Sequence, residues 1–145
     1  MYIAVVSEAS RELHEALQRL VPQLGAHKTP PTMEDVVALV RSEASTLLIA
    51  REPDESGSIV GIVCLVVYRV PTGVRSIIED VVVETDRRGR GIGAALLHAA
   101  LEMARAAGAE GVSLTSNPKR EAANQLYQSM GFELRQTNPY YCRLK

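Results

Sequence analysis

The sequence predicts an α/β fold: a mixed, mostly antiparallel, twisted sheet of about six to seven strands with helices on both faces. Three observations lead there. Residues 46 to 84 hold the apolar runs "TLLIARE", "SIVGIVCLVVYRV" and "VRSIIEDVVVE", separated only by "PDESG" and "PTG". Apolar runs joined by tight turns make an antiparallel meander. A strand–helix–strand unit follows over residues 77 to 115, and such a unit requires a parallel, right-handed crossover. Two helical stretches precede the meander, so the order reads β-α-α-β-β-β-α-β-α-β-β.

Each element has its own signal. "YIAVV" reads as a short first strand. In "SRELHEALQRLVPQL", Leu13, Leu17, Leu20 and Leu24 share a helical stripe that Ala16 and Val21 widen. "GAHKTPP" is loop, with one glycine and two prolines. "TMEDVVALVRSEA" restarts a helix: Thr32 caps it, Glu34 and Asp35 suit the positive end of its dipole, and Met33, Val36, Val37 and Val40 form its apolar face.

After the meander a helix begins near Gly89 or Gly91 and runs to about Ala107, where "GAEG" stops it. Its apolar lines are Ile92, Leu96, Ala99, Met103 and Leu97, Ala100, Ala104, with His98, Glu102 and Arg105 as a polar ridge. "GVSLT" is a strand. "NPKREAANQLYQSM" is a helix with Asn117 as cap, Pro118 at its first position and Gly131 just past its end. "FELRQ" and "YYCRL" close the chain as a hairpin around "TNP".

At 145 residues the chain is one domain, 1–145, long enough to close a core unaided. A composition 46% hydrophobic and 23% charged argues against disorder. With 16 basic and 17 acidic residues the net charge is −1, which gives no reason to expect nucleic acid or an anionic membrane as partner. Cys64 and Cys142 lack metal-ligand or disulfide spacing, so no metal site is expected and a reducing, cytoplasmic compartment is. Cys64 reads as core. "MYIAVVSEAS" does not resemble a secretory signal, and no run approaches the roughly 18 apolar residues of a membrane span. The three histidines are scattered; His27 lies in the loop expected to border a substrate pocket.

The chemistry concentrates in "IIEDVVVETDRRGRGIGAALL", residues 77 to 97. Two acids, Glu79 and Asp80, interrupt a core-like strand, and three arginines are threaded through three glycines before a helix. Unpaired N–H groups at a helix start carry partial positive charge, and glycine lets an anion approach them. Arginine adds forked donors suited to phosphate. The turn is therefore built to hold a diphosphate; a merely solvated basic turn would not need glycines that weaken the helix.

"GRGIGA" also fits the degenerate dinucleotide fingerprint, with Glu110 downstream. There the acid should end the second strand of a parallel unit, whereas Glu110 precedes a strand and the motif follows an antiparallel meander. No G-K-[ST] sequence follows, which removes a P-loop.

The R-x-x-G-x-G pattern from Arg88 to Gly93, together with "AANQLYQSMGF" downstream, resembles the GCN5-related N-acetyltransferase (GNAT) superfamily. "IEDVVV" is particularly similar to its glucosamine-phosphate N-acetyltransferase branch. The likeness covers residues 58 to 145 well, and the N-terminal helices in order only. It implies a single N-acetyltransferase domain using acetyl-CoA (acetyl-coenzyme A). The diphosphate would lie on Arg88, Gly89, Arg90, Gly91, Ile92, Gly93 and Ala94. The pantetheine arm would slot between splayed strands against main-chain groups of Val81, Val82 and Val83, where an N–H can also stabilise an oxyanion.

Glu79 is the expected general base, with Asp80 as substrate anchor or alternative base. Adjacent strand residues point to opposite faces, so both enter one pocket only if a bulge intervenes, and burial would raise the base's pKa. Tyr127 occupies the family's tyrosine position, implying a proton donor to the coenzyme A thiolate. Asn124 could touch the cofactor arm. Seven residues before the tyrosine this chain has Arg120 where many members carry asparagine, a departure that points Arg120 toward a phosphate.

The acceptor implied is a primary amine, on a small molecule or a peptide, attacked directly in a ternary complex, since neither cysteine has a histidine partner for a covalent route. The alternative is a catalytically idle acyl-coenzyme A-binding module. Substrate choice should lie in "VPQLGAHKTPPT" and the C-terminal hairpin, and a homodimer through the C-terminal strands is common in the family.

Overall fold

Five strands join into one sheet in chain order: β1 (Tyr2–Val5), β2 (Ser45–Glu52), β3 (Ser58–Val70), β4 (Gly73–Val83) and β5 (Val112–Ser113). Neighbours pair antiparallel except β4 and β5, which run parallel. The helices are α1 (Arg11–Leu20), α2 (Met33–Arg41), α3 (Ile92–Ala106) and α4 (Glu121–Ser129). This computed structural model describes residues 1–145. Contacts divide them into Met1–Leu114 and Thr115–Lys145.

In the first unit the sheet carries helices on both faces. Leu13, Leu17 and Leu20 of α1 and Val36 of α2 cluster with Leu47 and Ile49 of β2, Ile62 and Cys64 of β3 and Val82 of β4. Each fully buried leucine there stabilises the fold by about 1.5–3 kcal/mol. Strand alternation turns Gly61 to the other face, where a Cβ would meet Leu96 Cδ1 at 3.1 Å and Ile92 Cγ2 at 3.3 Å. That face belongs to α3, whose Ile92, Leu96, Leu97, Ala100 and Ala104 are buried.

The caps explain where these helices start. Ser10 accepts from the Leu13 N–H at 3.1 Å. Thr32 and Asp35 form the reciprocal capping box, at 3.1 and 2.9 Å. Arg51 clamps α1 to β2 by donating to both Glu12 oxygens, at 2.6 and 2.9 Å. Met33, expected on the apolar face of α2, is instead 39% exposed; it is the helix's first residue and precedes the packed turn.

β5 is shorter than the predicted "GVSLT": only Val112 and Ser113 pair, with Ser76 and Ile77. Buried Ser76 donates to the Gly111 carbonyl at 2.7 Å, which fixes this short crossover.

In the second unit α4 begins at Glu121, not at Asn117. Asn117 accepts from the Lys119 N–H at 2.9 Å and so closes a local turn, while its carbonyl accepts from Arg120. Pro118 lies in that turn rather than at the helix's first position. The other end matches the prediction. Gly131 has φ +96°, the Phe132 N–H donates to the Tyr127 carbonyl and the Gly131 N–H to Gln128. The rings of Tyr127 and Phe132 meet edge-on at 5.9 Å, which completes a Schellman cap with its hydrophobic contact.

The predicted closing hairpin does not form: residues 132 to 145 contain no strand, giving five strands rather than six or seven. Leu134, Tyr140, Tyr141 and Leu144 are 88–92% exposed. An isolated hairpin with no buried face is marginal in water, and Pro139 lacks an N–H for a ladder.

Candidate active site

The strand-to-helix turn is built on two glycines with left-handed backbone, Gly89 at φ +78° and Gly91 at φ +81°. Gly91 caps α3 without a side chain. A Cβ at either would touch nothing within 4 Å, so these glycines answer to conformation, not crowding, and the space over the turn is open. The N–H groups of Ile92, Gly93 and Ala94 meet no acceptor in the protein and lie at the positive end of the α3 dipole. A diphosphate fits this chemistry.

The arginines are not equivalent. Arg87 donates to Glu52 at 2.9 Å, and Arg90 lies 3.4 Å from the same oxygen. These two arginines and Glu52 border a cavity of about 300 Å³. Arg88 bonds the Val83 carbonyl through Nε at 3.1 Å, which leaves the outer edge of its guanidinium without a protein partner.

The two carboxylates stand at a β-bulge. Cys64 pairs with Glu79 and Ile62 with Val82, so Asp80 and Val81 together oppose Val63. Asp80 takes φ +45°, the one non-glycine residue with positive φ. The bulge that the sequence could only pose as a condition is present. Glu79 shares the face of Cys64, and both carboxylates act on its thiol. Burial, then the charge of Asp80, then that of Glu79, push the Cys64 pKa up to about 11. Both acids are themselves exposed, so the burial expected to tune a base is not found.

Beyond Ile77 the ladder between β4 and β5 stops. The outer edge of β4 from Ile78 to Val83 therefore has no strand from β5 beside it. Val82 is buried, whereas Val81 and Val83 are half-buried.

In the second unit Tyr127 is 7% exposed. The Asn124 amide, expected at the cofactor arm, instead donates to the carbonyls of Arg120 at 2.8 Å and Asn117 at 3.0 Å. Arg120 is exposed at the cap of α4. His27 is also exposed. Sequence reasoning missed Glu52, Arg19, Gln23 and Glu84, which hold the turn. No local motif marks them, because their partners lie 35 to 65 residues away.

The chain belongs to the acetyltransferase (GNAT) family, whose model matches residues 10–132. Among solved structures, an aminoglycoside acetyltransferase from an uncultured soil metagenomic sample is 22% identical with a TM-score of 0.85, covering 99% of this chain and 95% of that one. A transcriptional regulator from Bacillus halodurans C-125 is 21% identical with a TM-score of 0.79, covering 97% and 99%. A ribosomal-protein-alanine N-acetyltransferase from Brucella melitensis biovar Abortus 2308 is 22% identical with a TM-score of 0.73, covering 98% and 99%. At these identities the likeness is one of fold. No curated protein matches the chain significantly. No helix is long and apolar enough to cross a membrane.

Proposed function

We propose that the chain, as a single N-acetyltransferase domain, transfers acetyl from acetyl-CoA to a primary amine by direct attack in a ternary complex. The observation that carries this is the open glycine turn, with free N–H groups and the Arg88 fork, at the end of a strand that bears two carboxylates. Gly89 to Ala94, Arg90 among them, complete the diphosphate site, and Val81 to Val83 offer main-chain groups to the pantetheine amides.

Acetyl-CoA supplies the thioester: the amine's C–N bond forms as the C–S bond breaks. Glu79 takes the proton that the ammonium must lose before or during attack, directly or through a water. Asp80 anchors the cationic acceptor or substitutes as base. A main-chain N–H near Val81 stabilises the oxyanion. Tyr127 gives the departing thiolate its proton, while Asn124, whose amide N–H groups go to the carbonyls of Arg120 and Asn117, has only its Oδ1 left to offer the cofactor arm. The carboxylates favour a cationic amine on a small molecule or a peptide. The structural neighbours named for aminoglycoside and for ribosomal-protein alanine acetylation illustrate both kinds. Two free cysteines suit a reducing cytoplasm. Exposed Leu134, Tyr140, Tyr141 and Leu144 offer a surface for a homodimer through the C-terminal residues.

The test is thioester turnover with a panel of polyamines, amino sugars, aminoglycosides and N-terminal peptides. Acetylated product from one class supports the proposal. Coenzyme A binding without product from any of them supports an idle binding module instead.

A further inference from the structure

The turn that leads from β4 into the glycine loop is fixed from outside the loop. Thr85–Arg87 forms one 3-10 turn with no capping side chain of its own. Its first N–H, on Thr85, donates to Gln23 Oε1 at 3.1 Å, and the Thr85 hydroxyl donates to the same oxygen at 2.8 Å. Gln23 in turn donates through Nε2 to Glu84 Oε1 at 2.8 Å. The other Glu84 oxygen accepts from Arg19 Nε at 2.7 Å, and Arg19 also reaches the Ile59 carbonyl at 2.6 Å. The Glu84 N–H donates to the Val60 carbonyl at 2.7 Å.

Glu84 is otherwise an awkward residue for its place. A free carboxylate a few residues before a diphosphate turn would repel the anion. Arg19 neutralises it, and Gln23 bridges it to the N–H that the turn leaves open. Gln23 also sits on the 3-10 turn Val21–Leu24, from which the 25–31 loop departs. One network thus sets the position of that loop and of the cofactor turn.

We propose that Arg19, Gln23 and Glu84 are positioning residues for the coenzyme A diphosphate. They hold Thr85–Arg87 so that the amides after Arg88 stand at fixed places, and they cancel the charge of Glu84. None of the three touches the cofactor. The inference rests on the acyl-coenzyme A reading given above.

The experiment is calorimetric titration of coenzyme A into the full chain, with thermal midpoints recorded alongside. The variants are Gln23→Ala, Arg19→Met and the double variant Arg19→Met/Glu84→Gln. Gln23→Ala should weaken binding about 3- to 10-fold, the scale of one or two lost hydrogen bonds. Arg19→Met should weaken it about 10-fold or more by leaving Glu84 uncompensated. The double variant should recover most of that loss, because the stranded charge is gone. A double variant no better than Arg19→Met overturns the charge-cancelling role of Arg19. Wild-type affinity retained in both single variants overturns the inference alone, even if their midpoints fall. A wild-type chain with no affinity for coenzyme A overturns the acyl-coenzyme A reading itself. Gln23 lies in a surface turn outside the core, so its variant remains readable even if Arg19→Met folds poorly.

Discussion

Cys64 on β3 faces Glu79 on β4, while Ile62 faces Val82, so two steps along β3 match three along β4. The extra residue breaks the strand's alternation. The charges of both adjacent acids reach the Cys64 thiol, and the alternation that sends neighbouring side chains to opposite faces is interrupted at Asp80.

Glu79→Gln should lower kcat/KM about 10²- to 10⁴-fold, the usual contribution of a general base, with little change in coenzyme A affinity. Asp80→Asn should raise the KM of a cationic acceptor more than it lowers kcat. Steady-state kinetics with the best amine of the panel separates the two roles; equal effects from both substitutions would contradict the assignment.

The bulge itself is testable through backbone conformation. At φ +45° Asp80→Gly should leave stability nearly unchanged, whereas Asp80→Val should cost about 1–2 kcal/mol or more. Urea unfolding midpoints measure both.

The two thiols should differ sharply. Cys142 is exposed and Cys64 buried. A disulfide reagent at about pH 8 should therefore modify one thiol quickly and the second only on unfolding. Cys64 keeps its proton to about 11 in the fold against an ordinary value of 9.0. Its raised pKa thus stabilises the fold below about pH 9, and this contribution is lost as pH rises toward 11. Cys64→Ser should reduce that alkaline loss.

Acid should loosen the clamps on α1. Burial pushes Glu84 upward, but the hydrogen bonds from Arg19 and Gln23 and the charges of Arg19 and Arg87 outweigh it, so its pKa is lowered. The Arg51 hydrogen bond lowers Glu12 as well, against weaker desolvation. A lowered carboxylate stabilises the fold above its ordinary value of 4.5. That contribution disappears as pH falls below it. Glu84→Gln should flatten the fall of the urea midpoint between about pH 5 and pH 3. An unchanged acid limb would contradict the clamp.

How much of this was legible follows from the range of the interactions. Thr32, Asp35, Gly131 and the α1 stripe act over three or four residues, so their signals survive in the sequence. The bulge does not: "IEDVVV" says that two acids interrupt a strand, but only pairing with β3 reveals the extra residue. Glu52, Arg19 and Gln23 were invisible because each acts on a segment far along the chain. The C-terminal hairpin rests on two short stretches, "FELRQ" and "YYCRL", around "TNP", and such stretches do not say whether a face will be covered. Asn117 followed the rule for caps, yet its side chain closed a nearer turn first.

The central claim is that the N-terminus of α3 grips a diphosphate. The most direct measurement compares coenzyme A with pantetheine, which lacks that group, by calorimetry on the wild-type chain and on Gly91→Val. The account predicts at least about tenfold tighter binding of coenzyme A to the wild type, a preference that collapses in Gly91→Val, where the bulky side chain meets a left-handed backbone. Equal affinity for the two compounds, or a preference that survives the substitution, would contradict it.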